Sequence, residues 1–267
     1  MLYRNYADQK VSPVCLKLTA SSLPLAGRAA DHGINYFYAA DVALLSCMKN
    51  RKNVVLHTCL STVASGYEAL RADIIALLQK AELDRIDILD FYPADESGKE
   101  TEYLSRLGES IKRLKQEGLF RYANAVADGG NDAVLRQVRC GHFDSVLLDY
   151  NIAQMQVNEF VLPAVYQSGL SLLARHPFLR GRLFDMARET GSEDDNLAAR
   201  VGIKWILGST AVTAALCGIQ TEQHLDNLCK AAEDPRMTAQ ETQLLEDLFE
   251  TPQYIETLEN NIASFFL

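Results

Sequence analysis

Gly33-Ile34-Asn35-Tyr36-Phe37-Tyr38-Ala39-Ala40-Asp41-Val42-Ala43 runs from a helix-stopping glycine through a short aromatic, β-prone segment into small and then polar residues. That order reads as helix, strand and loop. The same passage recurs along the chain. Strands are predicted over residues 11–19, 36–38, 53–59, 86–91, 120–126, 145–149, 170–174 and 212–216. Between them fall helices, the clearest over 67–81, where Leu70, Ile74, Leu77, Leu78 and Ala81 recur at helical spacing. Another carries Leu104, Leu107, Ile111 and Leu114 on one stripe. Asn131 is placed as the cap of a helix running to Arg139, and residues 159–167 and 222–232 read as two more helices. A polar loop over 189–195 leads into a helix containing Trp205.

Eight strand–helix alternations predict an α/β fold of the (β/α)8 TIM-barrel type, one domain over residues 1–267 with a helical tail over about 238–267. In the tail, Leu244, Leu245, Leu248, Ile255, Leu258, Ile262 and Phe265 or Phe266 are the apolar positions. The rival, a doubly wound open sheet, calls for a glycine-rich first turn, and Thr19-Ala-Ser-Ser-Leu23 has none.

Composition narrows the function. A formal charge of −9 argues against nucleic acid and anionic membrane surfaces as partners. With no secretory leader pattern and no long apolar run, the expectation is a soluble, cytoplasmic protein. Cys15, Cys47, Cys59, Cys140, Cys217 and Cys229 form no Cys-x-x-Cys pair, so reduced thiols are expected and no metal site.

Several motifs in order resemble those of the aldo-keto reductases. Gly33-Ile-Asn-Tyr-Phe37 is similar to that family's second-strand Gly-Ile-Asn-Phe-Phe, and Ile86-Asp-Ile-Leu89 to its Ile-Asp-Leu-Tyr. Gly118-Leu-Phe-Arg-Tyr122 resembles Gly-Lys-Val-Arg-Tyr, and Asp149-Tyr-Asn151 resembles Glu-Tyr-Asn. His176-Pro-Phe-Leu-Arg-Gly-Arg-Leu183 is similar to Ser-Pro-Leu-Gly-Arg-Gly-x-Leu, and the region from Trp205 to Cys217-Gly-Ile-Gln-Thr221 to the final helix–strand–turn. The resemblance spans roughly residues 11–248 and implies the barrel fold and NADPH-dependent carbonyl reduction by a tyrosine tuned by lysine and aspartate, with a histidine orienting the substrate.

Carried over residue by residue, that chemistry is missing. The aspartate position is Tyr38, the tyrosine falls near Ala43, the lysine is Cys59 and the histidine Tyr92. The nicotinamide contacts become Val126, Ala127, Leu147 and Arg175; those of the adenosine end become Gln220 and Leu228. A proton donor, its tuner and the groups that position the ring are lost together, so no cofactor is expected.

Strand parity places Tyr38, Cys59, Tyr92, Val126, Leu147 and Arg175 inward at the carboxyl rim, and Tyr36, His57, Asp90, Asn124 and Ser145 one layer deeper. Asp90 and His57 are natural partners, as an acid–base couple or as a core ion pair. Arg175 is the candidate for gripping a carboxylate or phosphate; a salt bridge to Asp149 or Asp90 is the other reading. Tyr92 and Tyr38 are donors or packing groups, Asn124 a candidate substrate contact. Cys59 is a nucleophile if Arg175 or His57 lowers its pKa, otherwise a plain buried thiol. His176 is assigned to loop structure; Arg180 and Arg182 form an anion site or are simply solvated. The favoured expectation is a cofactor-independent pseudo-reductase: a lyase, dehydratase or isomerase acting on a small anionic metabolite. The alternatives are a non-catalytic binding or scaffold subunit and a degenerate NADP-dependent oxidoreductase.

Overall fold

A computed structural model of the chain describes residues 1–60, 66–93 and 100–266. The chain begins with a hairpin, β1 (Arg4–Tyr6) and β2 (Gln9–Val11), and then enters β3 (Val14–Lys17). A 3-10 turn, Leu23–Leu25, opens into α1 (Ala26–Asp31); β4 (Tyr36–Ala39) follows, and a 3-10 turn over Val42–Met48 leads to β5 (Val55–Cys59). Next come α2 (Tyr67–Ala81), β6 (Ile86–Phe91), α3 (Glu100–Gln116), β7 (Phe120–Val126) and α4 (Asn131–Arg139). They are followed by β8 (Ser145–Asp149), α5 (Gln156–Phe160), α6 (Leu162–Gln167) and β9 (Ser171–Arg175). Last are α7 (Arg182–Glu189), α8 (Asp195–Gly208), β10 (Val212–Gly218), α9 (Glu222–Glu233), α10 (Ala239–Phe249) and α11 (Pro252–Phe266).

Strands β3 to β10 close a parallel barrel, β10 pairing with β3, and the helices ring it: a single (β/α)8 domain. Alternate residues face opposite sides of the staves. Leu16, Phe37, Leu89, Ala123, Val146 and Leu172 face the helices; Cys15, Tyr36, Ile88, Tyr122, Leu147 and Leu173 fill the barrel. On α2, Leu70 and Ile74 are fully buried, each burial contributing about 1.5–3 kcal/mol.

Four readings of the sequence need correction. The expected strand over 11–19 is two segments, because Pro13 has no N–H for the ladder and the chain turns at Ser12-Pro13. Gly130, not Asn131, occupies the cap position of α4. The helix read over 159–167 is α5 and α6, split at Val161 with Pro163 in the first turn of the second. The tail does bury Leu244 and Leu248, and α10 starts with a capping box between Thr238 and Glu241. On α11, however, Tyr254, Thr257 and Phe265 face inward, while Ile255 and Ile262 are exposed.

The opening hairpin closes the barrel's amino-terminal end. Arg4 donates to the carbonyls of Leu207, Ser209 (3.0 Å) and Val212 (2.5 Å), tying β1 to the end of α8 and the start of β10. Asp8 accepts from Tyr122 and, at 2.9 Å, from Arg121. Tyr6 is fully buried, its hydroxyl 2.5 Å from Ser145 Oγ at the start of β8. Replacing Tyr6 with Ala should cost about 3–5 kcal/mol, as for other large buried aromatics. Replacing it with Phe, which removes only the hydroxyl bond, should cost about 0.5–1.5 kcal/mol. Urea-unfolding midpoints of the two variants check both values, and equal costs would mean that the ring contributes nothing as a plug.

Candidate functional site

Register places the deeper polar layer. Asp90 on β6 lies beside Cys59 on β5 and Asn124 on β7, and Asn124 lies beside Ser145 on β8. The side chains link into one hydrogen-bonded row across the barrel. Tyr36 Oη is 3.0 Å from His57 Nδ1, His57 Nε2 is 2.5 Å from Asp90 Oδ1, and Asn124 Nδ2 donates to that same oxygen at 2.7 Å. Ser145 donates to Asn124 Oδ1, and Tyr6 lies 2.5 Å from Ser145. The roles close without a clash: the phenol of Tyr36 donates to Nδ1, and the Nε2–H of a neutral His57 donates to the Asp90 carboxylate. His57, Asp90, Asn124 and Ser145 are all inaccessible to bulk water.

The row leaves one atom over. Asp90 Oδ2 has no hydrogen-bond partner among the described residues. Asp90 also lines a cavity of about 320 Å³ that opens at the carboxyl rim among Lys17, Tyr38, Tyr92, Arg180 and Phe184. His57 and Asn124 therefore stand behind Asp90. Both ring nitrogens of His57 and both amide atoms of Asn124 are already engaged, so the expected substrate contact from Asn124 is replaced by support of the carboxylate.

Above this layer, the Cys59 thiol sits between the hydroxyls of Tyr38 and Tyr92. Burial raises the Cys59 pKa, and the hydrogen bond from Tyr38 offsets this only in part, with Asp90 raising it further. The low thiol pKa a nucleophile needs is thus not met. Burial, Asp90 and Cys59 push the Tyr38 phenol far above its ordinary range, and burial, Cys59 and Asp90 push Tyr92 up to about 12. Both phenols stay protonated at neutral pH, as hydrogen-bond donors rather than tuned acids.

Arg175 does not offer a free fork. It donates from Nε to Asp149 and from Nη2 to Asp128 at 2.5 Å. The salt bridge to Asp149 is the reading that the side chains adopt. The second acceptor, Asp128, lies in the loop after β7, where only the folded barrel brings it near.

The cations left for a ligand are Lys17 and Arg180. Lys17, which the sequence reading did not single out, ends β3 with the inward parity of Cys15 and has no ion-pair partner among the described residues; parity is the signal that could have found it. Arg180 is largely exposed and 3.8 Å from Asp149 Oδ2. It belongs to a bent loop in which His176, Leu179 and Arg180 all have φ between 50° and 57°. Positive φ at such residues costs of order 1–3 kcal/mol each and tends to cluster at functional sites. His176, read from sequence as loop structure, lines the cavity with Nδ1 2.9 Å from Asp149 Oδ1.

A second cleft of about 690 Å³ continues from this cavity past Phe178, Phe184 and Gly218, between the starts of α8 and α9. In the reductase resemblance a dinucleotide would lie here. Gln220 and Leu228 line it as expected, together with Asp195, Asn196 and His224, and no lysine or arginine is among the described lining residues. The carboxylate among them, Asp195, is paired with Arg188 at 3.0 Å. At the rim, Leu147 and Val126 offer no amide to the nicotinamide, and the phenols are tuned upward.

Asp149 links this site to stability. Burial raises its pKa, but the hydrogen bond from His176 and the charge of Arg175 outweigh burial and leave it below the usual value. A carboxylate lowered in the folded state stabilises fully above its unfolded pKa, and that stabilisation is lost as pH falls through the folded value. Asp149→Asn should therefore unfold more easily near neutrality and show a shallower stability loss below about pH 4. Thermal midpoints from pH 7 to pH 2.5 check this, and parallel curves for the two proteins would refute it.

No protein-family model matches the chain. Among solved structures, the aldo-keto reductase AKR11C1 of Bacillus halodurans is similar in its holo form, with a TM-score of 0.73 and 18% identity over 93% of this chain and 96% of that one. Its apo form gives a TM-score of 0.71 and 19% identity over the same shares. The chain therefore has the (β/α)8 fold of the aldo-keto reductases.

Proposed function

We propose that this barrel is a non-redox enzyme acting on a small anionic metabolite by proton abstraction, as in a lyase, dehydratase or isomerase. One observation carries the reading: Asp90 lines the rim cavity, and its Oδ2 is shut off from bulk water and without a partner among the described residues. An unsatisfied buried carboxylate oxygen is costly, commonly more than about 1–3 kcal/mol. Retaining one where a ligand would sit is reasonable if the oxygen receives a proton.

The surroundings support that role. His57 and Asn124 fix the carboxylate through Oδ1 and leave Oδ2 pointing at the reacting atom. Tyr38 and Tyr92 remain neutral donors for a substrate oxygen. Lys17 and Arg180 at the mouth favour an anion and would bear charge building on it. The cavity volume is at the small end of ligand sites and suits a metabolite rather than a cofactor. A cytoplasmic setting is part of the proposal, supported by the exposed free thiol of Cys47. No helix among the described residues is long and apolar enough to cross a membrane.

Proton abstraction is read by deuterium incorporation from D2O into a panel of small hydroxy and keto acids, followed by proton NMR. Asp90→Asn should lower incorporation by about 10²–10⁴-fold while keeping the thermal midpoint; undiminished exchange in that variant would sink the reading. The NADP-dependent alternative is favoured only by the shape of the second cleft. Titration with NADPH should show no saturable fluorescence change, and saturation in the micromolar range would restore that alternative.

A further inference from the structure

We infer that His176 is a second proton-transfer group of the rim cavity, and that with Asp90 it makes the reaction an elimination of water from a small hydroxy acid. This rests on the proposed role of Asp90 and adds the reaction class.

The imidazole is oriented from two sides. Its Nδ1 meets Asp149 Oδ1 at 2.9 Å, and Asp149, held ionised by Arg175, accepts the Nδ1 proton. Nε2 has no partner among the described residues, and the ring lines the cavity. The backbone is braced in its left-handed conformation: the carbonyl of His176 accepts from Asn151 Nδ2 at 3.2 Å and from the amide of Leu179 at 3.0 Å. Asn151 is buried, and the next residue in its loop accepts from Tyr254 of α11. A histidine that served only the loop would need neither a carboxylate at Nδ1 nor a positive φ turning it to the mouth. Such an arrangement sets the tautomer and leaves the far nitrogen to take or give a proton.

The topology separates His176 from Asp90. Asp90 is on the fourth stave and His176 follows the seventh, three steps round a ring of eight. Asp90 also lies a layer below the rim, and two residues along a strand advance roughly 7 Å. Two groups handling opposite faces of one carbon would need the same depth. Groups at different depths act on different atoms of the ligand.

The step balances. Asp90 takes the hydrogen from the carbon next to the substrate carboxylate, whose charge Lys17 and Arg180 offset. The released electron pair forms the carbon–carbon double bond, and the bond from the neighbouring carbon to its hydroxyl breaks. The Nε2 proton of the imidazolium joins the departing oxygen to make water. Asp90 ends protonated and His176 neutral; exchange of one proton each with solvent restores both, and nothing is oxidised or reduced.

The test is proton NMR in D2O on a panel of small 3-hydroxy mono- and dicarboxylates, with wild type, Asp90→Asn and His176→Gln. Wild type should both deuterate the 2-position and form alkene, and Asp90→Asn should do neither. His176→Gln should keep deuteration while alkene formation falls by about 10²-fold or more. Undiminished alkene from His176→Gln, or loss of deuteration and alkene together in a folded variant, would overturn the role of His176 and leave that of Asp90 standing. If wild type deuterates without eliminating, the reaction class is wrong. If wild type does neither, the reading of Asp90 fails, and His176 is decided separately on the wild-type chain by diethyl pyrocarbonate. The reagent should modify the His176 imidazole, and malonate should slow that modification. An unreactive or unprotected ring overturns the inference.

Discussion

A carboxylate inside a closed barrel has nowhere to go. Asp90 cannot turn to solvent, and its neighbours in the deeper layer are fixed by strand pairing to Cys59 and Asn124. The energetics are demanding: an ion withdrawn from water loses several kcal/mol even after relaxation. Hydrogen bonds to a charged group return about 1.5–3 kcal/mol each. Asp90 has two such bonds among the described residues, both to Oδ1, from His57 and Asn124. The remaining deficit must be met by the apolar shell between staves and helices. A barrel drifting without function would replace Asp90 with a branched aliphatic residue, as most barrel interiors have.

The same row makes the amino-terminal hairpin part of the site. Tyr6 meets Ser145, Ser145 meets Asn124, and Asn124 holds Asp90. Closing the bottom of the barrel thereby helps to fix the carboxylate in the layer below the rim. At the other end the Asp149 carboxylate gathers Arg175, His176 and Arg180, with Asp128 as a second acceptor for Arg175. Both halves of the site depend on a carboxylate, buried in Asp90 and half-buried in Asp149, and both are placed by residues far apart in sequence.

What could be read from the sequence follows from period. Strand residues alternate, so once the stretch from Gly33 to Ala43 was recognised as a stave, parity gave the layer of Tyr36, His57, Asp90, Asn124 and Ser145 and the meeting of His57 with Asp90. Helix α2 was legible to the residue because its apolar stripe is continuous. Contacts made by loops were not. The second acceptor of Arg175 is Asp128, 47 residues away, and nothing in either local sequence announces that pairing. His176 was passed over because its role depends on a backbone φ of 57°, which a residue before proline does not advertise. Helix α7 was missed although Leu183, Met186 and Ala187 carry its buried spacing, since the flanking charges read as loop. Lys17 was hidden inside a strand drawn too long past it; with Pro13 taken as a break, its inward parity at the rim follows.

The likeness to aldo-keto reductases and the side chains at the rim answer different questions. Fold similarity locates chemistry at the carboxyl end of the staves, as in other barrels, without specifying it. Here the two connected spaces differ in character. The cleft past Phe178 and Phe184 has a carboxylate and no fixed cation among its described lining residues, whereas the cavity over Asp90 has Lys17 and Arg180 at its mouth. An anion entering from solvent is favoured in the second and not in the first. Hydride chemistry needs both spaces filled by one long ligand, its phosphates in the cleft and its ring over the barrel. Proton chemistry needs only the cavity, one base at its floor and a place for negative charge above. The distribution of charge between the two spaces supports the proposal of acid–base work on a small anion more than any single residue does.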